Sequence, residues 1–381
     1  MIFTKLTLEN WMNFREVNIS LTPRMFIIGP NAAGKSNLLD SIRFLSDVAT
    51  SGLAKAVDDR GGISSIRCLA ARTNPVITIK VFLDNAWSYK LSFSGKKGGP
   101  PNVIEEIVRF KNAGEKRSKP VLNRPDKLDD DDAERLTQTA LEQVNANKDF
   151  REVSSFFKTI SYRHILPEVV RRPQAFTPET VHNDPFGRDL VAQIWNTPER
   201  MRNSRLRKIN AALKIAVPQL NDLDVQMDMT TGKPHLTARY EHWRLYGARQ
   251  NEFSFSDGTL RLLALLWSLL EQGGPLLLEE PELSLHDEVV RFLPTMFARL
   301  DKGRKKGARQ VLITTHSEAM LQDIGVGPGE VLLLKPGSNG TTVEAPHEQD
   351  QELMRSGLTA ADVLLPKTKP VNTEQFSLFK I

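Results

Sequence analysis

The run Gly29-Pro30-Asn31-Ala32-Ala33-Gly34-Lys35-Ser36 constrains this chain more than any other feature. It fits G-x-x-x-x-G-K-[ST], a pattern that average residue usage would produce by chance in this length roughly one or two times in a hundred. Its flanks fit as well. Met25-Phe26-Ile27-Ile28 is a short apolar run of the kind that forms a buried strand, and Leu38, Leu39, Ile42 and Leu45 follow at helical spacing. A strand, a glycine-rich turn and a helix start aim backbone N–H groups and the positive helix end at one point, which makes a cradle for phosphate. There Lys35 is expected to reach the β and γ oxygens of a nucleoside triphosphate, and Ser36 to hold Mg²⁺. The bland alternative is a glycine-rich turn that only opens a helix.

Three other segments bear on the same chemistry. Pro275-Leu276-Leu277-Leu278 reads as a buried strand ending in Glu279-Glu280-Pro281. Adjacent carboxylates repel, and near a phosphate loop they gain a purpose: Glu279 to hold the metal, directly or through water, and Glu280 to polarise the attacking water. Taken alone, the pair would be a solvated strand end. Gln310-Val311-Leu312-Ile313 is a second buried strand, with His316 just beyond it. A neutral imidazole there can hydrogen-bond the γ-phosphate or the water, although a lone histidine is more often structural. Phe255-Ser256-Asp257-Gly258-Thr259 opens a helix whose apolar face is Leu260, Leu263, Leu266, Trp267 and Leu270. Ser256 or Asp257 caps that helix; the sharper reading has Ser256 and the Gly258 backbone bind the γ-phosphate of a nucleotide held by another subunit.

Composition narrows the setting. Cys68 is the sole cysteine, so no intrachain disulfide or cysteine cluster can form, as suits a reducing compartment. Met1 to Leu6 alternates like a strand rather than a signal peptide, and the longest apolar stretch, Leu262 to Leu270, falls far short of the roughly 20 residues of a membrane span. A soluble, cytoplasmic protein without a membrane partner is expected. The excess of 51 Lys+Arg over 46 Asp+Glu permits nucleic-acid contact without demanding it.

Residues 1–115 and 251–345 carry the αβ pattern. Alternating runs at Val76–Phe82, Trp87–Phe93 and Val103–Phe110, with a turn at Lys96–Pro101, predict antiparallel strands. Between these halves, residues 116–250 read as mainly helical: an acidic helix start at Asp129–Asp132, a stripe of Leu136, Ala140, Leu141 and Val144, and a basic stretch at Arg200, Arg202, Arg205, Arg207 and Lys208. Val289 to Leu300 reads as one helix and Glu330 to Leu334 as another strand. Residues 346–381 read as a tail, extended over its last twenty positions. No internal repeat or sustained heptad occurs.

Leu8-Glu9-Asn10-Trp11-Met12-Asn13-Phe14, Ile27 through Asp40, Phe255 through Arg261, Leu276 through Glu282 and Thr315-His316-Ser317, in this order, resemble the ABC-type ATPases, most closely their SMC/RecF/OLD-like branch. The resemblance covers roughly residues 1 to 112 and 250 to 345. It implies an α/β P-loop NTPase fold with an SMC-head-like mixed sheet, an antiparallel β subdomain and an inserted lobe. It implies ATP rather than GTP, held around Gly29, Asn31, Gly34, Lys35, Ser36 and Asn37, with Mg²⁺ at Ser36 and Glu279 and catalysis by Glu280, His316 and Lys35. It further implies a head-to-tail homodimer, or higher oligomer, in which Ser256 and Gly258 complete the partner's site. Glu279 stands where most ABC proteins carry Asp.

Two departures shape the expected role. No long coiled coil is present, which argues against a cohesin- or condensin-like clamp, and no sequence for a Toprim nuclease follows the ATPase. The resemblance thus implies a switch acting on a separate, nuclease-like effector in defence against phage or foreign DNA. The alternative is a RecF-like ATPase of replication or repair that binds double-stranded DNA through Arg200–Lys208 and Lys302–Arg309. Gln375-Phe376-Ser377-Leu378-Phe379 also resembles the peptide that docks on the sliding clamp, with Phe376 where Leu is usual. Leu378 and Phe379 would fill an apolar pocket while Gln375 orients them; alternatively the segment caps the protein's own core as a final strand.

Overall fold

The computed structural model describes residues 1–71, 75–96, 98–175, 184–241, 248–302 and 309–369. The strands begin with β1 (Phe3–Trp11), β2 (Phe14–Ser20), β3 (Arg24–Ile28), β4 (Ile77–Leu83), β5 (Trp87–Ser94), β6 (Asn102–Phe110) and β7 (Lys119–Arg124). They continue with β8 (Ser161–Arg163), β9 (Leu220–Asp228), β10 (Lys233–Tyr240), β11 (Ala248–Asn251), β12 (Leu276–Glu279), β13 (Val311–Thr314), β14 (Val331–Lys335) and β15 (Thr342–Glu344). Three helices matter most: α1 (Lys35–Ser51), α2 (Glu199–Ala216) and α3 (Asp257–Leu270).

An antiparallel sheet has the order β2-β1-β4-β5-β6-β7. In β1, Phe3 pairs with Leu83 but Lys5 with Phe82, a one-residue bulge. It lets Phe3, Leu6 and Leu8 all reach the core, where strict alternation would put Phe3 and Leu6 on opposite faces. A second sheet has the order β15-β14-β3-β13-β12-β8. Its strands are parallel except β15, and the register aligns Ile27, Thr314 and Glu279 in one row.

Both faces of that second sheet are covered. Met25, Ile27, Leu277, Leu312, Leu332 and Leu334 join a core shared with α1 and the antiparallel sheet. Their neighbours Phe26, Ile28, Leu276, Leu278, Val311 and Ile313 join a second core with Leu265 and Leu269 of α3 and with Ala360 and Leu364. Burial on both faces is why these strands read as continuous apolar runs. A third core joins Leu206, Ile209 and Leu213 of α2 to Val225, Leu236 and Ala238, and to Leu260, Leu263 and Trp267 of α3. Helix α3 therefore belongs to two cores at once.

The structure departs from the sequence expectation in four places. Residues 116–250 carry five strands, β7 to β11, three of them in the separate sheet β11-β10-β9. Their period-two signal is faint, since β10 buries only Leu236 and Ala238 fully. The stripe from Leu136 to Val144 is not a helix. Ala133–Thr137 is a short 3₁₀ segment, and the Ala140 and Leu141 amides donate to the buried Glu106 carboxylate at 2.6 and 3.0 Å instead of to a preceding turn. Val289 to Leu300 is broken into helices Asp287–Val290 and Leu293–Lys302, with Pro294, which lacks an N–H, at the second start. In place of a free tail from 346, helices Glu348–Arg355 and Ala360–Leu364 form and bury Ala360, Ala361 and Leu364 in the second core. Gln375–Phe379 and most of Lys302–Arg309 lie outside the described residues. Among the described residues no helix is long and apolar enough to cross a membrane.

Candidate nucleotide site

The loop after β3 is shaped by backbone requirements. Gly34 caps α1 at φ 93°, a left-handed conformation that glycine adopts without steric cost. A Cβ on Gly29 would lie 2.9 Å from both the Cβ and carbonyl oxygen of Leu334, so the loop is pressed against β14. No side chain caps α1 and no acidic residue occupies its first turn, which leaves the first amides open to an external anion.

Lys35 curls across the mouth of this loop, its Nζ donating to the carbonyls of Gly29 and Pro30 at 3.2 Å each. Burial lowers its pKa below the ordinary lysine value, although Glu280, Glu279 and Glu282 oppose the shift. Ser36 Oγ donates to Glu279 Oε1 at 2.5 Å, joining the start of α1 to the tip of β12. The other oxygen of Glu279 accepts a hydrogen bond from the Tyr162 hydroxyl. Burial, reinforced by the Glu280 charge, raises the Glu279 carboxyl above the usual carboxylate range, against the Ser36 bond.

Glu280 sits in a left-handed backbone conformation at φ 41°. For a non-glycine residue this costs about 1–3 kcal/mol, and such strain persists where the surroundings over-determine it. Here the Glu280 amide donates to the Thr314 carbonyl at 3.1 Å and to Thr314 Oγ1 at 3.2 Å. The turn brings Glu280 Oε1 to 3.6 Å from His316 Nε2. Burial and the Lys35 charge lower the His316 pKa despite Glu280, which favours the neutral imidazole.

Lys35, Ser36, Glu279, Glu280 and His316 are thus gathered at the carboxyl ends of β3, β12 and β13. Asn31 is exposed at the loop tip. The Asn37 side chain turns away toward Asn13, donating to Asn13 Oδ1 at 2.8 Å. Ser256 makes local bonds, accepting from the Thr259 amide at 3.2 Å as the cap of α3. No hydrogen bond among the described residues joins it to Gly29–Ser36. A Cβ on Gly258 would lie 2.5 Å from the Ser284 carbonyl, so the start of α3 presses on the turn that follows Glu280. Asp257 is ion-paired with Arg171, which also donates to the Phe255 carbonyl at 2.8 Å.

Two members of the site were missed in the sequence. Glu282 is buried and accepts from Thr315 Oγ1 at 2.5 Å and the His316 amide at 3.2 Å, tying the two turns together. It was legible as a third carboxylate in Glu279-Glu280-Pro281-Glu282. Tyr162 lies on β8, in register with Leu277, and Arg43 stacks on its ring at 5.1 Å. No motif marked it. In the basic stretch, Arg202 and Arg205 lie over the rings of Trp195 and Trp267 at 4.9 and 5.1 Å, leaving Arg200, Arg207 and Lys208 exposed.

A hydroxyl and a carboxylate in contact are hard oxygen donors suited to Mg²⁺, which commonly takes one or two protein ligands and completes its shell with water and substrate phosphates. No group of three His, Cys, Asp or Glu that could hold a metal occurs among the described residues.

A family model described as "AAA domain, putative AbiEii toxin, Type IV TA system" matches residues 24–321, from the start of β3 to just beyond His316. The chain belongs to this family. The fold of this AAA-family protein is also that of SMC heads, and it is a P-loop NTPase. An SMC head bound to the C-terminal winged-helix domain of ScpA matches with a TM-score of 0.55 and 13% identity, over 93% of this chain and 100% of that one. An SMC head with an extended coiled coil, bound to the C-terminal domain of ScpA derived from Pyrococcus furiosus, gives 0.55 and 10%, over 93% and 99%. At such identities the likeness concerns the fold. No curated protein matches the sequence.

Proposed function

We propose that this AAA-family protein binds and hydrolyses ATP and uses the cycle as a switch on a separate, nuclease-like effector in bacterial defence against phage or foreign DNA. One observation carries the ATPase reading: an ammonium, a hydroxyl, two carboxylates and an imidazole converge on the mouth of one phosphate loop. The family description, with its toxin and toxin–antitoxin terms, supports a two-component defence setting.

In this reading the loop amides and Lys35 bind the β- and γ-phosphates. When bound at Ser36 and Glu279, Mg²⁺ supplies positive charge to those phosphate oxygens. Glu280 takes a proton from a water as the water oxygen bonds to the γ-phosphorus. The bond to the β–γ bridging oxygen breaks with its electron pair, and ADP and phosphate leave. Neutral His316 donates to the γ-phosphate. Lys35 gains anionic partners in place of the two carbonyls it now faces.

Neither Ser256 nor Gly258 is hydrogen-bonded to Gly29–Ser36 among the described residues, and the Asp257 and Gly258 amides open α3 without intrahelical acceptors. Both features support a head-to-tail pair in which the α3 start of one copy closes over the nucleotide of the other. The exposed Arg200, Arg207 and Lys208 favour a second reading, DNA binding in replication or repair.

The test is Mg²⁺-dependent ATP turnover by the intact chain, with light scattering of the Glu280→Gln variant and recovery of whatever co-purifies with it. Turnover, an ATP-dependent dimer and a nuclease-like companion are expected. A monomer at saturating ATP would remove the pair, and salt-dependent duplex binding without a companion would favour the DNA reading.

A further inference from the structure

Asn13 occupies the tight turn between β1 and β2, remote in sequence from every segment it touches. Its Nδ2 donates to the Ala33 carbonyl of the phosphate loop and to Thr341 Oγ1, each at 2.8 Å. Its Oδ1 accepts from Asn37 Nδ2 on α1 at 2.8 Å. Its backbone carbonyl accepts from the Thr341 amide, also at 2.8 Å. One side-chain amide thus joins the phosphate loop, the first turn of α1 and the β14–β15 connection. Reversing the amide would set its oxygen against the Ala33 carbonyl and its NH₂ against that of Asn37, so the network fixes its orientation.

Two glycines make room for this junction. A Cβ on Gly34 would lie 2.1 Å from Asn13 Nδ2, and a Cβ on Gly340 would lie 2.8 Å from the Asn13 carbonyl. Gly34 therefore serves twice, by its left-handed backbone and by admitting the amide. The Trp11 indole N–H adds a bond to the Asn37 carbonyl at 2.9 Å on the same side of α1.

We propose that Asn13 is a positioning residue for the phosphate loop, fixing the Ala33–Gly34 peptide so that the amides opening α1 point into the nucleotide mouth before ligand arrives. This rests on the reading of Gly29–Ser36 as the nucleotide site. A loop held in its bound form loses little freedom on binding, so Asn13 acts on ATP affinity. Glu280 and His316 are held by Thr314 and by the Glu282 carboxylate instead, so turnover at saturation is independent of it.

The test compares Asn13→Ala, the isosteric Asn13→Asp and the uncharged Thr341→Val in the full chain, by ATP dissociation constant, KM, kcat and melting temperature. Both Asn13 variants should weaken ATP binding and raise KM about tenfold or more, with kcat within about twofold. Thr341→Val, which removes one anchor and adds no charge, should shift KM the same way by less. A lowered melting temperature with unchanged ATP affinity in both Asn13 variants would overturn the proposal and leave Asn13 a fold residue. Absence of ATP binding by the unaltered chain would overturn it together with the nucleotide reading.

Discussion

His316 Nε2 lies 3.6 Å from Glu280 Oε1, across the turn that Thr314 and Glu282 hold closed. Burial first, then Lys35, keeps the imidazole below its ordinary pKa of 6.5, and Glu280 does not reverse the shift. The neutral form therefore persists to lower pH than in a free histidine. ATP turnover is expected to show an acid limb centred below 6.5, and His316→Ala should abolish that limb. The check is kcat/KM against pH; a decline centred above 6.5 would contradict the assignment.

Glu280→Gln keeps the size of the side chain and removes the proton acceptor. Turnover should fall about 10²- to 10⁴-fold while ATP affinity changes little, because Lys35 and the loop are untouched. Single-turnover kinetics beside equilibrium binding separate the two. Near-normal turnover in the variant would remove Glu280 as the base.

Far from this site, buried Arg124 pairs with Asp129 Oδ1 at 2.7 Å and Glu106 Oε2 at 3.3 Å. Arg124→Met should cost about 3–5 kcal/mol in urea unfolding, since it takes the buried cation away from two buried carboxylates. The hydrogen bond from Arg124 chiefly holds the Asp129 carboxyl at about 2, below its ordinary 3.8. A depressed carboxyl contributes stability above its unfolded pKa and loses it as pH falls through its folded one. The unaltered chain should therefore lose stability between about pH 4 and 2, and that slope should flatten in Arg124→Met.

Gly258→Ala would force a Cβ to 2.5 Å from the Ser284 carbonyl, a backbone atom that cannot swing aside. The turn carrying Glu280 must shift instead. A displacement near 1 Å can cost about 10²-fold in rate, so turnover should drop steeply while ATP binding holds. Parallel loss of ATP binding would show that the α3 start, or the turn it presses on, also holds nucleotide.

What the sequence disclosed was local. Gly29–Ser36, Glu279-Glu280 and His316 each stand at the end of an apolar strand buried on both faces, where a continuous run and an abrupt polar tip are both visible in one dimension. Ser256 was legible as a helix cap, and that is the role the single chain displays. Tyr162 was not legible, because β8 is three residues long and gains its place only by pairing with β12. The β9–β10 hairpin hid for a related reason: its apolar residues meet a core supplied by α2 and α3 rather than by a pattern of their own. The helices after 346 read as tail because their polar flanks outweigh the few alanines and leucines they bury.

The placement of β3 has a kinetic consequence. Residues 24–28 pair with 311–314 on one side and with 331–333 on the other, and the first strand is tied in by Phe3, whose amide and carbonyl both bond the Gln310 side chain. The strand that launches the phosphate loop must therefore wait for neighbours made about 300 residues later. At 5–20 residues per second, synthesis leaves Met25–Ile28 without its strand partners for roughly 15–60 s. Throughout that interval the emerging chain carries its glycine loop without the neighbouring strands that complete its floor. Pairings this distant in sequence also make refolding from denaturant slow, and a cut between the halves should leave neither able to bind ATP alone.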